Sequence, residues 1–121
     1  MESTQDAAGV GSRAKRTDDV ASALTGRIEY ELELLQRHVE MLRIIVKNEP
    51  IGIIKLSNLS HFPQHKVRYS LRILEQEGLI QPSPDGAVTT EKWKKFIPKL
   101  YRILGDMEKN IKIIKKSVKI K

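Results

Sequence analysis

Gln64, His65, Lys66, Arg68, Tyr69 and Arg72 crowd into one short stretch, FPQHKVRYSLRILEQEGLI, residues 62–80. Their chemistry is recognition rather than bond making. Arginine can bridge the two acceptors of a guanine, while glutamine or lysine meets base edges or phosphates. Tyrosine adds a hydroxyl and an apolar face. On a helix, with Val67 set at 0°, Leu71 and Leu74 fall within about 40° of it and Ser70 lies at the edge. His65, Tyr69 and Arg72 fall near the opposite pole, with Arg68 and Lys66 flanking and Gln64 close by. A basic helix face taken alone is most often only solvated, so the reading depends on what surrounds it.

Other constellations are weaker. His61 and His65 are four residues apart, but a helix break is expected between them, and no cysteine or third nearby ligand joins them, so no metal is expected. Glu75 and Glu77 lie on different sides of one helix. No hydrolase, kinase or dinucleotide motif is present, and GVGSRAKR (9–16) lacks the spacing and ending of a phosphate loop. No catalytic residue, no cofactor and no enzymatic activity are expected.

The elements that would carry the polar face are legible in the periodicity. Residues 1–26 are small and polar and are expected to form a disordered tail. From Arg27 the apolar residues Ile28, Leu32, Leu35, Val39, Leu42 and Val46 step by 4, 3, 4, 3, 4, a helical stripe at heptad spacing. Gly26 is the expected N-cap and Pro50 the stop. IGIIKLSNLS predicts a short second helix with Ile54, Leu56 and Leu59 facing inward. HFPQ breaks it, and a third helix is predicted over 63–77, ended by Gly78. LIQPS and AVTT flank the turn PDG and predict a small hairpin. Thr89 or Thr90 then caps a long last helix, in which Pro98 marks either a later start near Ile97 or a kink. Its stripe runs through Trp93, Ile97, Leu100, Leu104, Met107, Ile111, Ile114 and Val118.

Two short helices joined by a tight break and followed by a hairpin make a helix-turn-helix with a wing. KLSNLSHFPQHKVRYSLRILEQEGLI (55–80) resembles the core of winged helix-turn-helix transcriptional regulators, small DNA-binding proteins common in prokaryotes and especially archaea. Lys55-Leu56-Ser57 matches the start of the family's second helix. Val67, Leu71 and Leu74 match the buried spine of its recognition helix, LEQEGLI its exit into the wing, and VTTEKW the passage into a final helix. The resemblance covers roughly residues 50–95. It implies a mainly α fold with a small β-hairpin wing and long N- and C-terminal helices, with residues 63–77 entering the major groove of double-stranded DNA. His61 stands where a glycine is usual and must adopt the turn conformation itself. The wing tip SPDG has no Arg or Lys, and Asp85 would repel phosphate, so backbone contacts are expected from Lys92, Lys94 and Lys95.

Composition agrees with an acidic partner. Lys and Arg outnumber Asp and Glu by 22 to 15, a net charge of +7. Residues 91–121 hold eleven basic and three acidic groups, net +8, and the first fifty residues are slightly acidic. Cysteine is absent, which excludes disulfides and suits a reducing cytoplasm. No apolar run approaches the roughly 18 residues of a membrane span, and the N-terminus lacks the apolar stretch of a signal peptide.

The expected organisation is therefore a tail over 1–26, a DNA-binding domain over 27–95 and a dimerisation helix over 96–121. Leu100, Leu104, Met107, Ile111, Ile114 and Val118 are the expected homodimer interface, with the two long helices packed together. The expected function is a cytoplasmic, dimeric transcriptional regulator. An architectural, weakly specific DNA-binding protein and a winged-helix protein-interaction module without DNA contact are the alternatives.

Overall fold

The computed structural model describes residues 19–120, and the side chains from Ala23 to Ile120. Of the tail expected over residues 1–26, residues 1–18 lie outside the described residues, and residues 19–26 are helical instead. The elements run α1 (Asp19–Asn48), α2 (Ile53–Ser60), α3 (Gln64–Gln76), β1 (Ile80–Ser83), β2 (Gly86–Thr89) and α4 (Lys92–Ser117). The fold class is mainly α with one small antiparallel hairpin, as expected. Two compact units divide the described chain, one ending at Val39 and one starting at Glu40.

In the first unit α1 begins at Asp19, not at Arg27. Gly26 is thus an interior helical residue rather than an N-cap. Ala23, Leu24, Arg27 and Glu29, good helix formers around it, carry the helix past a glycine that costs about 1 kcal/mol relative to alanine. Ile28 and Leu32, the first two residues of the apolar stripe, are exposed.

The second unit holds the core. Met41, Leu42, Ile44 and Ile45 from the end of α1 cluster with Ile51, Leu56, Val67, Leu74, Leu79 and Ile80. Only Leu42 of these α1 residues belongs to the heptad stripe; Val46, also on it, is half-buried. The C-terminal end of α1 is apolar around most of its circumference, so the neighbours rather than the repeat choose the buried side. The same happens in α2. Leu56 is fully buried, but Ile54 (66% exposed) and Leu59 face outward. Ile53, one turn before Leu56, is the half-buried partner instead, because residues three apart share a helix face.

The hairpin pairs Ile80 with Thr89 and Ser83 with Gly86, leaving Pro84-Asp85 as the turn. Ile51 is not helical. It forms a bridge with Ala87 on the free edge of β2, through N–H···O bonds of 3.2 and 2.8 Å. A glycine at 86 is required by this approach: φ is +128°, and a Cβ there would lie 2.5–2.8 Å from the backbone of Ile51. The end of α1 is tied to the same strand by Glu49, whose carboxylate accepts from the Thr89 amide (2.6 Å) and hydroxyl (2.9 Å).

Candidate nucleic-acid interface

The angle at which α3 leaves α2 is set by the three residues between them, His61, Phe62 and Pro63. His61 takes the left-handed conformation (φ +66°) as the cap of α2, and its amide donates to the Ser57 carbonyl at 2.9 Å. Histidine therefore fills the role usually given to glycine, as the sequence required. Ser57 donates its hydroxyl to the Phe62 carbonyl (2.6 Å), and Ser60 accepts from the Phe62 amide (3.2 Å). These two bonds satisfy backbone groups that the break leaves without helical partners. Pro63 then caps α3, with its carbonyl taking the amides of Lys66 and Val67.

Along α3 the division of faces is sharp. Val67 and Ser70 are fully buried and Leu74 nearly so, with Leu71 and Ile73 half-buried. Ser70, expected at the edge, is inside: it lies three residues from Val67 and four from Leu74, on the same face. Gln64, His65, Lys66, Arg68, Tyr69 and Arg72 are all exposed. Arg68 and Gln64 are one turn apart and meet at 3.5 Å. The face presents donors of five kinds on about two and a half turns of helix, and a major groove of about 12 Å admits a helix.

The helix ends as predicted. Gly78 is left-handed (φ +76°), its amide bonds the Glu75 carbonyl (2.9 Å), and the Leu79 amide reaches back to Leu74 (3.0 Å). Thr90 ties this end to the last helix. Its hydroxyl donates to the Gly78 carbonyl at 2.6 Å and accepts from the Lys92 amide at 3.2 Å. Neither threonine expected as the cap is the N-cap, which is Glu91; Thr90, one residue earlier, bonds the first helical amide, while Thr89 serves Glu49. Because α4 starts at Lys92, the alternative start near Ile97 is not observed, and Pro98 lies inside the helix.

The three lysines assigned to backbone contact are not equivalent. Lys92 lies across Gly78; a methyl group placed there would come within 2.9 Å of its Nζ. That puts the ammonium at the carbonyl end of α3, where a cation is favoured. Lys94 pairs with Glu91 at 3.5 Å. Lys95 forms no ion pair among the described residues. A shallow depression beside the hairpin is lined by Ile51, Leu71, Glu75, Pro82, Asp85 and others. Its two carboxylates have the wrong sign for a polyanion.

In α4 no residue is buried. Trp93 and Phe96 pack on the core, and Leu100 and Leu104 are half-buried. Met107, Ile111 (49%), Ile114 (59%) and Val118 (65%) are exposed on the single chain. Sequence reasoning missed the Ile51 bridge, the Glu49–Thr89 contacts and the docking of Lys92. A lone isoleucine before a glycine and a glutamate before a proline carry no periodic signal that could have found the first two.

Among the described residues no group of three metal-ligating side chains comes together, and no helix is long and apolar enough to cross a membrane. No family model and no curated protein matches the chain. Among solved structures it is similar to the activation domain of the phage T4 transcription factor MotA, with a TM-score of 0.47 and 21% identity over 59% of this chain and 79% of that one.

Proposed function

We propose that this chain is a dimeric regulator of transcription that reads double-stranded DNA by inserting α3 into the major groove, in the manner of a winged helix-turn-helix protein. The observation that carries the reading is the exposed face of α3, on which Gln64, His65, Lys66, Arg68, Tyr69 and Arg72 stand together while Val67, Ser70 and Leu74 are buried behind it. Arg72 and Tyr69, nearest the outward pole, read bases. Lys94 and Lys95 hold phosphates, and Lys92 supports the end of α3. The action is occupancy of DNA in the cytoplasm, without catalysis, cofactor or membrane.

The second copy docks on α4. Its 4-3 stripe from Leu100 to Val118 needs a cover, and each apolar side chain stabilises by roughly 1.5–3 kcal/mol when fully covered. Most lysines of α4 stand away from this seam. The residues immediately beside it include Tyr101, Ile103, Asn110 and Ser117, with Glu108 and Lys115 the charged exceptions. A strongly basic helix can therefore self-associate without setting like charges against each other, and a two-fold pair suits a palindromic site.

Selection of bound duplexes from a random pool tests the function. A recovered consensus of two related half-sites is the expected result. Retention of duplexes without a consensus would favour the architectural alternative, to which the basicity of residues 91–121 lends itself. No retention even at low salt, where phosphate contacts are strongest, would leave the protein-interaction module.

A further inference from the structure

Lys95, Arg102, Lys109 and Lys116 recur at intervals of seven along α4, and all four are exposed. Seven residues turn a helix by nearly two full turns, drifting about 20° each time. The four cations therefore form one row about 31 Å long. With Lys109 at 0°, the apolar seam of Leu100, Met107 and Val118 lies within about 20° of the opposite pole. None of the four forms an ion pair among the described residues. Asp106 and Ile113 stand along one edge of the row, and Lys112 along the other.

We infer that this row is a second, sequence-independent contact surface for the phosphates of duplex DNA, extending the grip beyond the site at α3. It rests on the DNA-binding reading above and adds Arg102, Lys109 and Lys116 to it. Three features favour it. The row is nearly as long as one turn of duplex, about 34–36 Å, so its cations, about 10.5 Å apart, can meet phosphates spread along that turn. It faces away from the seam, so a second copy covering the apolar stripe leaves it open. A second copy covering the apolar stripe also leaves no apolar side to sink into a bilayer, which membrane-surface binding by a basic amphipathic helix requires. Even the depression beside the hairpin, with Glu75 and Asp85, leaves α4 as the richer source of phosphate contacts.

The test is a salt titration of the full chain on a random duplex and on the selected one. Arg102→Gln, Lys109→Gln and Lys116→Gln are combined in one variant; all three positions are exposed, and circular dichroism verifies the fold. Removing three phosphate contacts from each protomer should lower the slope of log affinity against log salt by about 2 to 3 per protomer bound, on both duplexes. The ratio of the two affinities should stay that of the parent. A charge-keeping variant, Arg102→Lys with Lys109→Arg and Lys116→Arg, should bind like the parent. An unchanged slope in the glutamine variant overturns the inference. So does a parent that binds phosphatidylglycerol vesicles but no duplex. Arg72→Ala with Tyr69→Ala separates the two ideas. If that variant keeps its preference while the glutamine variant loses slope, the row stands and the α3 reading falls; the opposite pattern leaves α3 and removes the row.

Discussion

Helices α3 and α4 are both amphipathic, and the chain treats them in opposite ways. In α3 the apolar side is satisfied within the chain, with Val67, Ser70 and Leu74 buried, and the polar side is left facing outward. In α4 no side chain is buried, and the outer stripe from Met107 to Val118 has no cover in the single chain. Amphipathicity alone therefore does not say which side of a helix is the functional one. In α3 the surplus is hydrogen-bonding capacity, which water can satisfy at little cost. In α4 the surplus is apolar surface, which water penalises. An outside partner is optional for the first and strongly favoured for the second.

The contrast breaks most visibly at the seam. Replacing Ile111→Asp and Ile114→Asp together should forfeit about 3–6 kcal/mol of association and turn a dimer into a monomer by sedimentation velocity, with helicity of the remaining chain retained. A parent that sediments as a monomer at tens of micromolar, or a double variant that still dimerises, would show that the stripe is covered some other way.

Inside α3, Leu74→Ala should cost about 2–5 kcal/mol in urea unfolding, since it empties a site with only 4% exposure. Ile114→Ala, measured under dilute conditions where the seam is open, should cost no more than about 0.5 kcal/mol. Equal losses at the two positions would erase the distinction between the helices.

On the outward side of α3 the effect moves from stability to recognition. Arg72→Ala should weaken the selected duplex by about 1–3 kcal/mol and relax one base position, with the melting temperature scarcely changed. If both Arg72→Ala and Tyr69→Ala bind as the parent does, that face is ordinary solvated surface.

The smallest expected effect belongs to the first unit. Burial, with a lesser contribution from the Arg37 charge, holds the His38 pKa below its ordinary 6.5. The folded state therefore resists protonation there. Stability from this group is fully present above pH 6.5, begins to fall below it and is lost as pH passes through the lowered value. Chemical denaturation at pH 7.5, 6.5 and 5.5, values chosen to bracket about one unit on either side of the usual histidine range, should show a decline that His38→Gln reduces. An identical decline in the variant would assign it to other groups.

Much of this was legible along the chain because it is local. The break at HFPQ, the left-handed turn at His61, the end of α3 at Gly78 and the turn at Pro84-Asp85 each depend on a few adjacent residues. The outward set on α3 was legible too, since Val67 and Leu74 leave only one way for a helix of that pattern to sit. The start of α1 was missed by eight residues because Gly26 looks like a boundary and is tolerated inside the helix.

What periodicity could not decide was which of several apolar faces is the inner one. The last turns of α1 offer Met41, Leu42, Ile44, Ile45 and Val46, and α2 offers Ile53, Ile54, Leu56 and Leu59. Either helix could bury more than one stripe, and the choice falls to neighbours distant in sequence. Those neighbours include Ile51, pinned to Ala87 by backbone bonds, and Glu49, bonded to Thr89 across 40 residues. By itself the sequence determined the order of elements, their ends apart from the starts of α1 and α2, and the polar face of α3, because these follow from capping, turn preference and the 3.6-residue repeat. Only the tertiary structure decided the core-facing sides of α1 and α2 and the burial of Ser70. It also decided the distinct positions of Lys92, Lys94 and Lys95, because these depend on contacts that no local pattern encodes.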